Sequence, residues 1–377
     1  MGQKLPPSIC TFGAEYMFKQ ALELENELGD ALTGQDIEAI HNMRVASRRL
    51  RNGINLFGDC FPTKKKKMWN SEIRKITRSL SNARDLDIQI KYINQVYENS
   101  LETTYKPGYR RLLLRMKQRR IKAQEKANKT LNKFHEGDLL QQMRNQIKKV
   151  NLDEKDLTTN SSILFMHAYK AIDSTLEDFL SFQPYLHSSK NTKKLHAMRI
   201  AGKHLRYTLE IYAPIYDHAL NPFISVMKEI QDELGDFHDN DVWVNWLPKF
   251  IKKEEARIED YFGNTGPLDR LLPGLQHLIE DRTNAREKAY QSFHNTWEIL
   301  EGENAWDTMR KILTESCHDH PLAEGAIPTP KKDPSQLTEI QDNEHEEFEV
   351  ELTPGSLNEF QDKTEPTNDP YRETQGE

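Results

Sequence analysis

Apolar residues recur along the chain at three- and four-residue spacing in long runs, broken at short points rich in Gly, Pro and Asn. That period is the mark of amphipathic helices. It predicts helices over residues 11–30, 35–59, 64–99 and 108–135, with a further helical stretch at 138–150. Breaks fall at Gly29 to Gly34, Gly58 to Pro62 and Pro107-Gly108. After a polar linker, Asn151 to Asn160, a similar series is predicted over 161–182, 192–217, 219–262 and 267–300, closed by a short helix from Glu303 to Cys317. Pro248 falls inside the third helix of this series, where a lost backbone donor and a crowded preceding turn predict a kink. The body carries no convincing alternating strand pattern, so the fold class is all-α.

The two series are copies of one another. Ile40-His41-Asn42-Met43-Arg44-Val45-Ala46-Ser47-Arg48-Arg49-Leu50-Arg51 aligns without a gap on Leu195-His196-Ala197-Met198-Arg199-Ile200-Ala201-Gly202-Lys203-His204-Leu205-Arg206, at an offset of 155. Leu80 to Asp87 aligns on Leu234 to Asp241 at an offset of 154, and Glu125-Lys126-Ala127 matches Glu287-Lys288-Ala289 more weakly. Matches in the same order at nearly constant offset indicate an internal duplication. The body is therefore two bundles of about four long helices each, over residues 11–150 and 160–317.

The repeated segment has two faces. At about 100° per residue from His41, Arg44, Arg48 and Arg51 lie near 300°, 340° and 280°, while Met43, Leu50, Ile54 and Phe57 cluster at about 160–220°. The second copy repeats the pattern with His196, Arg199, Lys203 and Arg206 beside Met198, Leu205, Leu209 and Tyr212. Basic residues on a helix are ordinarily solvated or paired with neighbouring acids. Here the basic stripe adjoins the buried face instead of opposing it, and does so twice. Aligned like charges at a helix seam repel unless an anion is bound, and arginine suits bidentate recognition of phosphate oxygens.

The motif His-x-x-Arg-x-x-x-(Arg/Lys)-x-x-Arg, ahead of Arg84-Asp85-x-Asp87, resembles the first half of a CHAD domain, the conserved histidine α-helical domain. His196 to Tyr207, followed by Gln231 to Gly235 and His238-Asp239-x-Asp241, resembles its second half. The resemblance spans about Ala14 to Arg310. It implies a CHAD domain over 11–317: two bundles related by a pseudo-two-fold axis, with the basic helices lining a central groove that binds inorganic polyphosphate. The implied binding set is His41, Arg44, Arg48, Arg51, His196, Arg199, Lys203 and Arg206. Lys75 and Arg78 on the next helix would extend it on one side only, because their repeat partners Glu229 and Asp232 are acidic. Arg49 and His204 point away from the stripe and are left out. The resemblance also implies a binding protein in place of an enzyme, with no cofactor, and association with polyphosphate granules. CHAD domains are often fused to triphosphate tunnel enzymes; Glu347-Phe348-Glu349-Val350-Glu351 has the alternating acids of such a strand, but lacks the lysine that should follow, so a stand-alone domain is expected.

Charge is unevenly spread. The net charge is −7 overall, but residues 321–377 hold 15 acidic and 4 basic residues, which leaves the body mildly basic. That tail has seven of the 17 prolines and no apolar periodicity, so it is expected to be disordered and to compete for the groove or meet a protein partner. Cys10, Cys60 and Cys317 are widely separated and fit neither a disulfide framework nor a zinc ribbon. No run approaches the roughly 20 apolar residues of a membrane span, and the start lacks a secretory signal, which together predict a soluble cytoplasmic protein without a membrane partner.

Competing readings are weaker. His238-Asp239 resembles the His-Asp pair of helical metal-dependent phosphohydrolases, but Arg84 replaces that histidine in the other copy, so Asp85/Asp87 and Asp239/Asp241 are read as braces for the basic helices and no metal site is expected. Cys317-His318-Asp319-His320 is poor evidence for a metal. Nucleic acid would suit a basic groove, but no known motif and no interleaved stacking aromatics support it. An acidic peptide bound in the groove of a scaffold is the remaining alternative.

Overall fold

A computed structural model describes residues 5–34, 37–152 and 162–318, and every regular element among them is helical. The linker centre, the acidic tail from 321 onward, the Glu347–Glu351 segment and the Cys317–His320 side chains lie outside the described residues. In the first half the helices are α1 (Pro7–Asn26), α2 (Leu28–Thr33), α3 (Ile37–Phe57), α4 (Thr63–Asn99), α5 (Lys106–Glu136) and α6 (Leu139–Leu152). The second half contributes α7 (Ser162–Leu180), α8 (Thr192–Tyr212), α9 (Asn221–Phe262), α10 (Leu272–Gly302) and α11 (Ala305–His318). The expected 11–30 helix is split by a short break after Asn26, and α2 ends at Gly34, whose φ of 65° suits glycine best. Pro248 sits inside α9, which continues through it to a glycine C-cap at Gly263.

The duplication is visible helix by helix. α3 and α8 both have 21 residues and start and stop at the same 155-residue offset. α5 and α10 both have 31 residues, and α6 and α11 both have 14, at an offset of 166. Pro107-Gly108 and Pro273-Gly274 mark that offset in the sequence. The Glu125/Glu287 alignment, at 162, is thus one helical turn out of register, because similar Glu-Lys-Ala triplets recur easily on solvated helix faces.

Each bundle closes by antiparallel neighbours: α3 packs on α1 and α4, and α4 on α5, with α6 against α1; α8, α9 and α10 repeat the arrangement with α7 and α11. Between bundles, α1 meets α7, α3 meets α8 and α5 meets α10. Each helix at this interface thus touches its own counterpart, as a two-fold relation requires. The anticipated core face is buried: Met43, Leu50, Ile54 and Phe57, like Met198, Leu205, Leu209 and Tyr212, have no exposed surface. Each such side chain contributes roughly 1.5–3 kcal/mol of burial.

Two features fix the bundles against each other. Phe12 and Phe57 pack at 5.9 Å in the first half, and their counterparts His167 and Tyr212 pack at 6.0 Å in the second. The four rings interlock, with Phe12 stacked on Tyr212 and Phe57 on His167, while Tyr212 Oη hydrogen-bonds His167 Nδ1 at 2.7 Å. Where α5 crosses α10, a Cβ on Gly108 would lie 2.5 Å from the Leu271 carbonyl oxygen, so only glycine permits this approach.

Cys10 and Cys60 form a disulfide, with Cα atoms 5.4 Å apart. This corrects the reading of three separate thiols: the start of α1 lies against the α3–α4 corner, a proximity that a 50-residue separation does not reveal. It also removes one ground for a reducing, cytoplasmic setting. No helix among the described residues is long and apolar enough to cross a membrane.

Candidate functional site

The basic stripes of α3 and α8 face each other at the two-fold seam. Arg44 and Arg48 from α3 and Arg199 and Lys203 from α8 lie close together: Arg48 acts on Arg44, Arg199 and Lys203, and Arg44 and Arg199 act on Lys203, with Asp85 of α4 and Asp239 of α9 among them. All six are repeat partners: Arg44 with Arg199, Arg48 with Lys203, Asp85 with Asp239. The helical period dictates this, since positions three or four apart on an amphipathic helix share a face.

These groups are crowded by protein on nearly every side, yet the four cations are only half-buried and Asp239 is exposed, so the cluster lines a recess open to water. Burial, with Arg48 next, lowers the Arg44 guanidinium to about 10. Burial also lowers Arg199, partly countered by Asp239. Lys203 is pushed well below the ordinary lysine value by burial and then by Arg199, Arg48 and Arg44. Burial raises Asp239 even though Arg199 and Lys203 draw it back. His41 is lowered by burial and by Arg84, Arg44 and Arg48. Desolvation and like-charge repulsion thus act together on a pocket of excess cation.

The outer members of the expected set are placed differently. Arg206 donates through Nε to Gln231 Oε1 at 2.8 Å, pairs with Glu210 and lies 4.7 Å over the Tyr207 ring. Gln231 is itself fixed by donating to the Gly202 carbonyl at 2.8 Å, and Glu210 also takes Arg49 of α3 at 3.2 Å. Arg49 therefore staples the bundles, consistent with its exclusion from the stripe. Arg51 is half-buried two turns along α3 from Arg44. His196 is buried, its Nδ1 2.8 Å from His238 Nδ1, whereas its repeat partner His41 is half-buried and feels Arg84 in the position of His238. Lys75 and Arg78 line a cleft between α4 and α5.

Periodicity did not single out Ser81, which accepts Arg44 Nε at 3.0 Å, or Tyr207, buried at the seam beside Arg44 and Arg199. The acidic pairs each divide between two tasks. Asp85 and Asp239 face the cations, while Asp87 holds Arg120 at 2.7 Å and Asp241 holds Arg286 at 2.6 Å, bracing α5 and α10 instead. Residues two apart on a helix point some 200° apart, so neither pair can chelate one ion together. Among the described residues no group of three or more His, Cys, Asp or Glu is arranged to hold a metal.

The CHAD domain model matches residues 15–248, more than half of the chain and both basic helices. The chain belongs to the CHAD domain family. That family is linked to polyphosphate binding in general. None of the curated proteins matches the chain in sequence. Among solved structures, the crystal structure of the CHAD domain from the plant Ricinus communis is similar at 17% identity and a TM-score of 0.51, covering 73% of this chain and 93% of that one. PptA from Streptomyces chartreusis aligns at 13% identity and a TM-score of 0.48, over 77% of this chain and 99% of that one. The Ricinus match supports the all-α CHAD fold described above.

Proposed function

We propose that this CHAD protein binds inorganic polyphosphate in the groove between α3 and α8, as a binding module and not as an enzyme. The observation that carries this reading is the meeting of Arg44, Arg48, Arg199 and Lys203 across the two-fold axis, held together at the cost of burial and mutual repulsion. One phosphate cannot satisfy cations contributed from both sides of an axis; a linear run of phosphates can. Each charge-assisted hydrogen bond is worth about 1.5–3 kcal/mol, though desolvation prevents simple addition. Asp85 and Asp239 moderate the repulsion among these cations, and the outer residues His41, His196, Arg51 and Arg206 flank the path. Association with polyphosphate granules is the setting that such a ligand gives, and forms part of the same proposal.

The test is calorimetric titration of the full chain and of an R44A/R48A/R199A variant with medium-chain polyphosphate and with single-stranded DNA. Polyphosphate binding by the wild type, at least about 100-fold weaker in a variant of unchanged helicity, is the expected result. A folded wild type that ignores polyphosphate, or prefers DNA, would overturn the proposal.

A further inference from the structure

The cleft between α4 and α5 is a second basic site, distinct from the seam. It has a volume of about 400 Å³ and is lined by Lys75 and Arg78 from α4 and by Lys126 and Lys133 from α5, with Ile76 and Phe134 as an apolar wall. A single carboxylate, Glu72, faces these four cations, and it is engaged by Lys75 at 2.6 Å. Among the described residues no carboxylate pairs with Arg78, Lys126 or Lys133. Asn82 adds a neutral amide donor.

The duplication supplies an internal control. At the offsets that superpose the helices, Lys75, Arg78 and Asn82 correspond to Glu229, Asp232 and Asp236, Ser79 to Glu233, and Lys126 and Lys133 to Ser292 and Ile299. In the second bundle Glu233 Oε1 accepts Ser292 at 2.6 Å and Thr296 at 3.0 Å, so that position is satisfied from within. The same backbone arrangement thus carries four cations on one side and four carboxylates on the other. A basic cleft is not a by-product of packing these helices.

We infer that the α4–α5 cleft is a binding site for a compact, multiply charged phosphate group of the triphosphate class. Three unpaired cations and a fourth shared one, within one small cleft, match several linked phosphates better than a single carboxylate or phosphate. Two sources share that chemistry: the end of a polyphosphate chain, and the triphosphate of a nucleotide, whose base would lie on the Ile76–Phe134 wall. The inference rests on the same phosphate chemistry as the proposed groove but not on the groove itself.

Inorganic tripolyphosphate is the probe, titrated into the full chain, a K126A/K133A variant, an R44A/R199A variant and a K249A/K252A control of equal charge change. The expected result is binding about 10-fold or more weaker in K126A/K133A and within about two-fold of wild type in K249A/K252A, while R44A/R199A loses only the groove's share and keeps the share that K126A/K133A removes. Equal weakening in the control, no weakening in K126A/K133A, or a loss confined to R44A/R199A would overturn the inference. Competition by adenosine triphosphate or by long-chain polyphosphate then identifies the source. Long-chain binding that fails in the wild type while tripolyphosphate binding follows this pattern would refute the groove and leave the cleft standing.

Discussion

His196 Nδ1 and His238 Nδ1 lie 2.8 Å apart between α8 and α9, so one ring donates a proton to the other and the two imidazoles hold each other. In the first bundle the same two positions are His41 and Arg84, and the second member of the pair is a permanent cation. The seam is therefore two-fold in its inner cations and asymmetric at its rim.

Replacing His238 by arginine restores the first bundle's pattern in the second. H238R is expected to tighten polyphosphate binding about three- to ten-fold at low salt, and by less as salt rises. Titrations at two ionic strengths check this. Unchanged affinity at both would place the His196 end of α8 off the ligand path.

Lys203 gives the binding a pH dependence. Burial, Arg199 one turn back on α8 and the facing Arg48 and Arg44 of α3 favour its neutral amine, with Asp239 and its repeat partner Asp85 the nearby acids. A bound polyanion favours the ammonium, so binding takes up a proton, and affinity falls as pH rises through the depressed lysine value. K203R, always charged, is expected to flatten that fall. The sign for folding is opposite: an unfolded chain with an ordinary lysine binds more protons in this window, so stability from this group rises with pH. Lost affinity at high pH is then not lost structure. Calorimetry in two buffers of different ionisation enthalpy measures the proton uptake; equal profiles for wild type and K203R would refute the assignment.

The Cys10–Cys60 bridge closes a 50-residue loop from α1 to the α3–α4 corner. The chain-entropy model puts its contribution at about 4 kcal/mol. The C10S/C60S variant, or reduction of the wild type, is expected to lower unfolding stability by up to that amount and to leave polyphosphate affinity unchanged. Denaturant unfolding with and without reductant decides it; equal curves would mean that the bridge constrains nothing the fold does not already hold.

Much of this is legible in the sequence. The arginines of α3 and α8 could be placed because a 3.6-residue period fixes their face, and the repeat fixed their pairing. Lys75 and Arg78 were visible as an asymmetric feature, but the cleft was not: Lys126 and Lys133 come from another helix, whose register a chance Glu-Lys-Ala match shifted by one turn. Gln231 and Glu210, which secure Arg206, and Ser81, which secures Arg44, carry no pattern of their own, since a single polar residue near a seam looks like any solvated one. The disulfide is not legible there, because sequence separation says nothing about where a helix start meets a distant corner.

The two-fold axis between Arg44 and Arg199 also bears on direction. A linear polyphosphate has chemically identical ends and reads the same both ways, so a polyphosphate threaded through the inner cations meets an arginine from Arg44 or Arg199 and a cation from Arg48 or Lys203 whichever end leads. A nucleic-acid strand or a peptide has a polarity, and a lining that repeats under rotation offers it a matched set on one half and a reversed set on the other. Symmetry in the protein thus selects for a ligand without a head or a tail.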